Sequence, residues 1–200
     1  MTAHYDLIVT DASPLITLAA ADALDLLSIP QLSIVIPDMV YYEVTRDLAK
    51  LGASSLISWV KNNSALVHIA PTEVFAEYQA LIQINPNTAS RGRGERSATE
   101  VLQDAIDGDP DLVAFLLFED SDINRRRFAD LLPERVLPIS TGAFLHELEV
   151  AGRLQSAAHI LDEAMAKGRD VSKQYVAVTS DEIATALRER LTPKDRGPGR

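Results

Sequence analysis

Asp11 and Asp120 are the acidic residues whose positions most directly indicate chemistry. Asp11 follows the apolar segment Tyr5–Thr10, and Asp120 lies just past Leu112–Phe118, the most apolar run of the chain. Ligands of open parallel sheets bind beyond the carboxyl ends of the strands, so acids that follow two such strands are expected at one sheet edge. Carboxylate oxygens gathered there suit a hard divalent cation such as Mg²⁺ or Mn²⁺.

Glu43 and Glu95 lie in predicted helices, on the side that should face the core. Glu43 is three residues after Val40, and Glu95 precedes Ala98 by three residues. Helical periodicity therefore places each carboxylate on or beside an apolar stripe. Because an inward carboxylate is costly unless it is paired or bound to metal, both join the candidate cluster. Glu100 falls on the opposite face and is expected to be an ordinary solvated acid.

Each of these acids also has a purely structural explanation. Asp11 could cap the helix that follows it, and Glu95 could gain from a helix dipole without any catalytic task. Ser13 could also cap that first helix, with Pro14 at its first position. Taken singly, the structural role is the more common one. Four such acids at compatible places in one fold favour a shared site.

The elements that must position these acids alternate along the chain. Apolar runs predict strands at Tyr5–Thr10, Leu32–Ile36, Ala65–Ile69, Leu112–Phe118 and Val136–Ile139. Amphipathic helices are predicted between and after them. This order predicts a three-layer α/β/α fold with a central, mainly parallel sheet over residues 1–152. Residues 153–192 are predicted to form a C-terminal helical extension, and 193–200 a disordered tail.

Composition excludes several classes of site and of protein. The 200 residues contain no cysteine, which rules out disulfides, thiolate zinc sites and cysteine nucleophiles. The formal net charge of -10 argues against gripping nucleic acid by a broad basic surface, although a bound metal would supply local positive charge. Aspartates interrupt the apolar stretches near the N-terminus, so neither a signal peptide nor a membrane span is predicted. A cytoplasmic protein is expected.

Arginines flank the predicted acids. Arg91, Arg93 and Arg96 surround Glu95, and Arg125–Arg127 follow Asp122. Guanidinium forks bind phosphate well, so both groups could contact the phosphates of a substrate, although they could equally be solvated or paired with surplus acids. The histidines lack the spacing of metal ligands. A phosphate-binding glycine loop is not predicted either, because Gly92 and Gly94 follow a polar loop and not a strand.

The order of these motifs resembles the PIN-domain family, particularly the VapC-like toxins of type II toxin–antitoxin systems. The likeness extends over about residues 5 to 155. The segments that carry it are Asp11–Ile16, Val40–Val44, Gly94–Ala98, Leu117–Asp122 and Ser140–Leu145.

The resemblance implies a divalent-metal-dependent endoribonuclease. Its metal ligands would be Asp11, Glu43, Glu95, Asp120 and Asp122, with Ser13 orienting an acid or a water. Hydrolysis would leave a 5′-phosphate and a 3′-hydroxyl on RNA. A small antitoxin and a homodimer are expected partners by the same resemblance.

The late motif leaves the choice of carboxylate open. It contains Glu119, Asp120 and Asp122, and we favour Asp120 first and Asp122 second. Since clustered carboxylates repel one another, one of the acids is expected to hold a proton unusually tightly without metal.

Two other functions remain open at this point. One is a catalytically silent PIN-like module that acts through protein contacts, with its late helices as the interaction surface. The other is a Mg²⁺-dependent phosphatase that forms an aspartyl phosphate on Asp11, although no second acid follows closely after that residue.

Overall fold

A computed structural model describes residues 4–109, 111–119, 132–176 and 180–191 of the protein. Several sequence predictions fall outside these residues. They are the metal-binding roles of Asp120 and Asp122, the phosphate contacts of Arg125–Arg127, and the tail 193–200.

A five-stranded, wholly parallel sheet forms the centre of the molecule. Its strands are β1 (His4–Thr10), β2 (Ser33–Pro37), β3 (Val67–Ala70), β4 (Leu112–Phe118) and β5 (Val136–Ser140), in the order β3-β2-β1-β4-β5. The predicted α/β fold with a parallel sheet is confirmed. β1 is the middle strand, and the order along the sheet reverses on either side of it, which places a crevice at its carboxyl end.

Helices follow the strands and continue beyond the last one. They are α1 (Ala12–Ala20), α2 (Asp38–Thr45), α3 (Ala53–Asn62), α4 (Glu73–Ile84), α5 (Arg93–Gly108), α6 (Thr141–Val150), α7 (Ala157–Ala166) and α8 (Asp181–Leu191), with 3-10 turns at Leu24–Ser28 and Gln174–Val176. Of the helices described, none is long and apolar enough to cross a membrane.

The sheet is buried on both faces because its strands alternate between two apolar clusters. Ile8 and Phe115 belong to the larger cluster, whereas Val9 and Leu116 belong to a smaller one that α5 covers with Leu102. Successive strand residues point to opposite faces, so both clusters need apolar side chains from each strand. This explains why the strands have continuous apolar sequences.

The predicted start of the first helix was wrong. α1 begins at Ala12, so Ser13 lies inside its first turn and does not cap it. Asp11 takes the capping position with extended backbone angles, since its N–H donates to Leu117 O at 3.0 Å and prolongs the β1–β4 pairing by one residue. Pro14 is tolerated in the first turn, where no intrahelical N–H is needed.

The C-terminal extension shares the larger core with the sheet. Leu161 and Ala164 of α7 and Leu187 of α8 lie in the same buried cluster as Ile8 and Phe115. The extension is therefore held against the sheet layer by apolar packing. Its helices lie on the side of α1 and α6.

A close backbone contact holds Gln174 against the start of α6. The N–H of Gly142, at the start of α6, donates to Gln174 Oε1 at 3.0 Å. A Cβ added at Gly142 would lie 2.0 Å from the backbone oxygen of Gln174. Only glycine permits this approach, because the obstructing atom belongs to the backbone and cannot rotate away.

We predict that Gly142→Ala destabilises the fold by about 1–3 kcal/mol, because the added methyl overpacks this contact. The free energy of unfolding in urea is the measurement. Gly108→Ala is the matched control, since no described atom lies within 4 Å of a Cβ added at that helix end. It should be neutral or slightly stabilising. Equal losses in both variants would contradict the packing argument.

Candidate active site

Asp11 stands at the carboxyl end of the middle strand. It precedes α1, yet its side chain makes no capping hydrogen bond to the described residues of that helix. The capping explanation for Asp11 is therefore wrong. Its carboxylate lines a small pocket together with Ser13, Glu95 and Glu119, over an apolar floor that includes Phe118.

Gly94 brings α5 against two of the predicted acids. A Cβ added at Gly94 would lie 3.0 Å from Glu43 Oε2 and 3.2 Å from Asp11 Oδ1. Both carboxylate oxygens thus converge on the same point in the first turn of α5. Glycine leaves room for them there, since any larger residue would place carbon between the two acids.

Glu95 lies at the rim of the pocket and not in the core. The sequence predicts an inward face, but the residue is exposed. It stands in the first turn of α5, and its exposed carboxylate borders the pocket. Glu95 still raises the pKa of Glu43 through charge repulsion, which places the two acids within electrostatic reach.

Glu119 contributes a buried carboxylate to the site. Its side chain is 4% exposed and forms an ion pair with Arg169, whose Nη2 lies 3.1 Å from Glu119 Oε2. Thr17 Oγ1 donates to the same oxygen at 3.0 Å. The other oxygen, Oε1, is buried and has no hydrogen-bond partner among the described residues. One half of this carboxylate is anchored and the other half is not.

Sequence reasoning placed Glu119 behind its neighbours in the late motif. Asp120 and Asp122 were favoured, and both lie outside the described residues. The available indication was that Glu119 is the first residue after β4, as Asp11 is the first after β1. Its burial could not be predicted, because the residue that pairs with the buried carboxylate, Arg169, is fifty positions further along the chain.

The donor set of the site consists of carboxylate oxygens, which suit Mg²⁺ and Mn²⁺. Within the ranges that the structure describes, no three His, Asp or Glu side chains converge closely enough to hold one metal ion. Asp11 and Glu43 approach the same point at Gly94, and Asp11, Glu95 and Glu119 line one pocket without converging on a single point. The unanchored oxygen of Glu119 fits a cation, since a buried carboxylate oxygen requires compensation.

Burial raises the pKa of Glu43 above its ordinary value of 4.5. The smaller effects oppose one another: a hydrogen bond from the Ser90 side chain and the charge of Arg46 lower it, and the charge of Glu95 raises it. The sequence analysis expects one acid of the cluster to hold a proton tightly, from mutual repulsion. Glu43 is shifted in that direction, but loss of solvation is the larger cause.

The arginines around Glu95 have different surroundings. Arg96 forms an exposed ion pair with Glu77 at 3.7 Å, which is the structural role that the sequence left open. The Arg93 guanidinium carbon lies 5.4 Å from the centre of the Tyr78 ring. Its Nη1 is buried without a hydrogen-bond partner among the described residues. Arg91 is exposed.

Glu100 is not the solvated acid that the sequence predicts. Its two carboxylate oxygens accept the backbone N–H groups of Glu73 and Val74, at 2.6 and 3.2 Å. These are the first two residues of α4, whose N–H groups have no partner within the helix. Glu100 therefore ties α4 to α5 outside the candidate site.

We predict that Glu43→Gln stabilises the metal-free protein at pH 7. Because the folded-state pKa of Glu43 is raised, the folded chain binds more protons than the unfolded chain above pH 4.5, and stability falls as pH rises through the folded pKa. Neutralising Glu43 removes that loss. In EDTA, the melting temperature of the variant should exceed that of the wild type at pH 7, and the difference should shrink towards pH 4.

Glu163→Gln is the control for this comparison, since Glu163 is an exposed acid on α7. It reports how much any neutralised charge stabilises a chain whose formal net charge is -10. A gain at Glu43 no larger than at Glu163, or a loss of stability at pH 7, would contradict the burial of Glu43 as a charged group.

The comparison with known families concerns the first part of the chain. Residues 7–98 match the family model DUF3368, a PIN domain. This stretch contains Asp11, Glu43 and Glu95, whereas Glu119 lies beyond it. No curated protein shows a significant match to the chain. The match supports the PIN-domain family for residues 7–98, and the parallel sheet with its flanking helices is consistent with a PIN-like fold.

Proposed function

We propose that this protein is a divalent-metal-dependent nuclease that hydrolyses phosphodiester bonds in RNA. The observation that carries the proposal is the buried Oε1 of Glu119, which has no described hydrogen-bond partner and belongs to a pocket shared with Asp11, Ser13 and Glu95. Such an oxygen is costly without a compensating cation or donor. The PIN-domain match indicates a nuclease-type function in general terms.

The proposed ligands are the acids of the pocket and its borders. Asp11, Glu43, Glu95 and Glu119 would bind the metal, joined by Asp120 and Asp122 from the stretch after β4. A bound Mg²⁺ or Mn²⁺ would lower the pKa of a water and offset charge that develops on the phosphate. Since the pKa of Glu43 is raised, metal binding should displace a proton from the cluster at low pH.

The rest of the pocket would orient the reactants. Ser13 lines it and would hold a water or a carboxylate in place. Ala98, Leu116 and Phe118 form an apolar floor, which excludes bulk water and strengthens electrostatic interactions nearby. Arg91 and Arg93 lie at the start of the helix that carries Glu95 and would meet the phosphate backbone.

RNA as the substrate, a toxin role, a small antitoxin and a homodimer follow from the family resemblance and form part of the proposal. An acidic chain with a formal net charge of -10 is suited to local recognition at a metal centre more than to general adhesion to nucleic acid. A narrow choice of RNA target is therefore expected.

We predict that the purified protein cleaves a mixed RNA pool with Mg²⁺ or Mn²⁺ and not in EDTA. Asp11→Asn should lower the cleavage rate by a factor on the order of 100 or more, because it removes a charged group at the reacting centre. Asp104→Asn is the matched control, since Asp104 is exposed on α5 and does not line the pocket. Gel analysis of end-labelled RNA would measure the rates and identify the ends.

Cleavage that continues in EDTA, or that falls equally in both variants, would contradict a metal-dependent nuclease at this site. A folded, metal-loaded protein that leaves the pool intact would instead favour either an RNA target that the pool does not contain or a silent PIN-like module.

A further inference from the structure

The C-terminal extension places the guanidinium of Arg169 beside the candidate site. α7 ends in a Schellman motif, in which Gly168 N–H donates to Met165 O and Arg169 N–H donates to Ala164 O. Gly168 takes a φ of +91°, which other residues adopt only with strain. The motif reverses the chain and directs Arg169 back towards α1.

Arg169 contacts two of the elements that border the pocket, α1 and the end of β4. Its Nη2 donates to Glu119 Oε2 at 3.1 Å and to the backbone oxygen of Ser13 at 3.4 Å, and its Nε donates to Thr17 Oγ1 at 3.0 Å. Thr17 Oγ1 in turn donates to Glu119 Oε2. Arginine, threonine and glutamate thus form a closed triangle that fixes the geometry of the carboxylate.

We propose that Arg169 is a positioning residue that orients Glu119 for metal binding. Arg169 and Thr17 both bind Oε2, so the carboxylate cannot rotate without losing two hydrogen bonds, and Oε1 remains available on the other side. This inference rests on the proposed function, because it assigns the Oε1 of Glu119 to the metal. It gives the extension a part in the active site.

Whether removal of Arg169 weakens or strengthens metal binding distinguishes a positioning role from simple charge repulsion. A guanidinium close to a metal site repels the cation, so removing its charge alone should strengthen metal binding. If Arg169 positions Glu119, removing it should weaken metal binding, since the carboxylate can rotate and its oxygens are no longer arranged for a cation. Hydrogen-bond partners of metal ligands commonly act in this second way.

The test is the affinity of the full-length, metal-free protein for Mn²⁺, measured by isothermal titration calorimetry. Arg169→Met should weaken Mn²⁺ binding by at least about tenfold, as expected when the partner of a ligand is lost. Arg169→Lys should recover part of the affinity, because an ammonium can still bind Oε2 but cannot bridge to Thr17. Thr17→Val should also weaken Mn²⁺ binding, because it removes the hydroxyl that donates to Glu119 Oε2. Valine has a shape similar to that of threonine, so the fold should be preserved.

Lys167→Met is the matched control for docking of the extension. Lys167 links the extension to the turn after α1, through an ion pair with Asp22 at 2.6 Å, and Asp22 does not line the pocket. Its loss should leave the Mn²⁺ affinity unchanged. Equal weakening by Lys167→Met would show that Arg169 acts by holding the extension in place, which would overturn the proposal.

A double-mutant cycle isolates the link to Glu119. Glu119→Gln alone should weaken Mn²⁺ binding, and adding Arg169→Met to it should cause little further loss, because both changes act through the same carboxylate. Additive losses would overturn the proposal. So would an Mn²⁺ affinity for Arg169→Met at or above the wild-type value.

The wild type and Asp11→Asn show which of the two proposals has failed. Suppose that the wild type binds Mn²⁺, that Asp11→Asn does not, and that Arg169→Met binds with wild-type affinity. The metal centre is then supported, and the positioning role of Arg169 is wrong. If the wild type binds no Mn²⁺, the metal centre itself is wrong, and positioning for a metal falls with it.

Discussion

The parallel pairing of β1 with β4 is the constraint on which the rest of the site depends. Thr10 stands opposite Leu117, and the N–H of Asp11 continues the ladder to the carbonyl of Leu117. Both strands therefore end at the same level, and the first residues beyond them are Asp11 and Glu119. A slip of one residue would turn one of these acids to the opposite face of the sheet. Burial of both sheet faces prevents such a slip.

The other parts of the site are built around that pair. α5 brings Gly94 against Asp11 and Glu43, and the extension brings Arg169 against Glu119. Each contact limits how far the acids can separate, although like charges repel and burial penalises them. The raised pKa of Glu43 is one sign of this cost. Acids held together in this way lower the stability of the metal-free protein and would raise its affinity for a cation. Such a loss of stability is common at functional sites.

Local sequence patterns predicted most of the fold. The apolar run Leu112–Phe118 coincides with β4, since continuous apolar composition is what a strand buried on both faces requires. The order of strands and helices was sufficient for the parallel α/β architecture. The start of α1 was not predictable, because the hydrogen bond from Asp11 to Leu117 depends on pairing with a distant strand. Tertiary contacts decided that boundary over capping preference.

The site was predictable where it depends on strand ends and helix faces, and less so where it depends on distant partners. Asp11 and Glu43 were predicted from their positions to lie close together, and their carboxylate oxygens approach the same point at Gly94. Glu119 was ranked below its neighbours, because only the fold reveals that Arg169 anchors it. Glu100 was misassigned for a similar reason, since the helix end that it caps belongs to another element.

The most direct test of the account is the position of Mn²⁺ in crystals of the full-length protein, located by anomalous diffraction. The account predicts a peak in the pocket at the carboxyl ends of β1 and β4, with oxygens of Asp11 and Glu119 within about 2–2.5 Å of the ion, as oxygen ligands of divalent cations lie. A well-occupied peak elsewhere, or a pocket that stays without Mn²⁺ while Glu119 Oε1 turns to a protein donor, would contradict it.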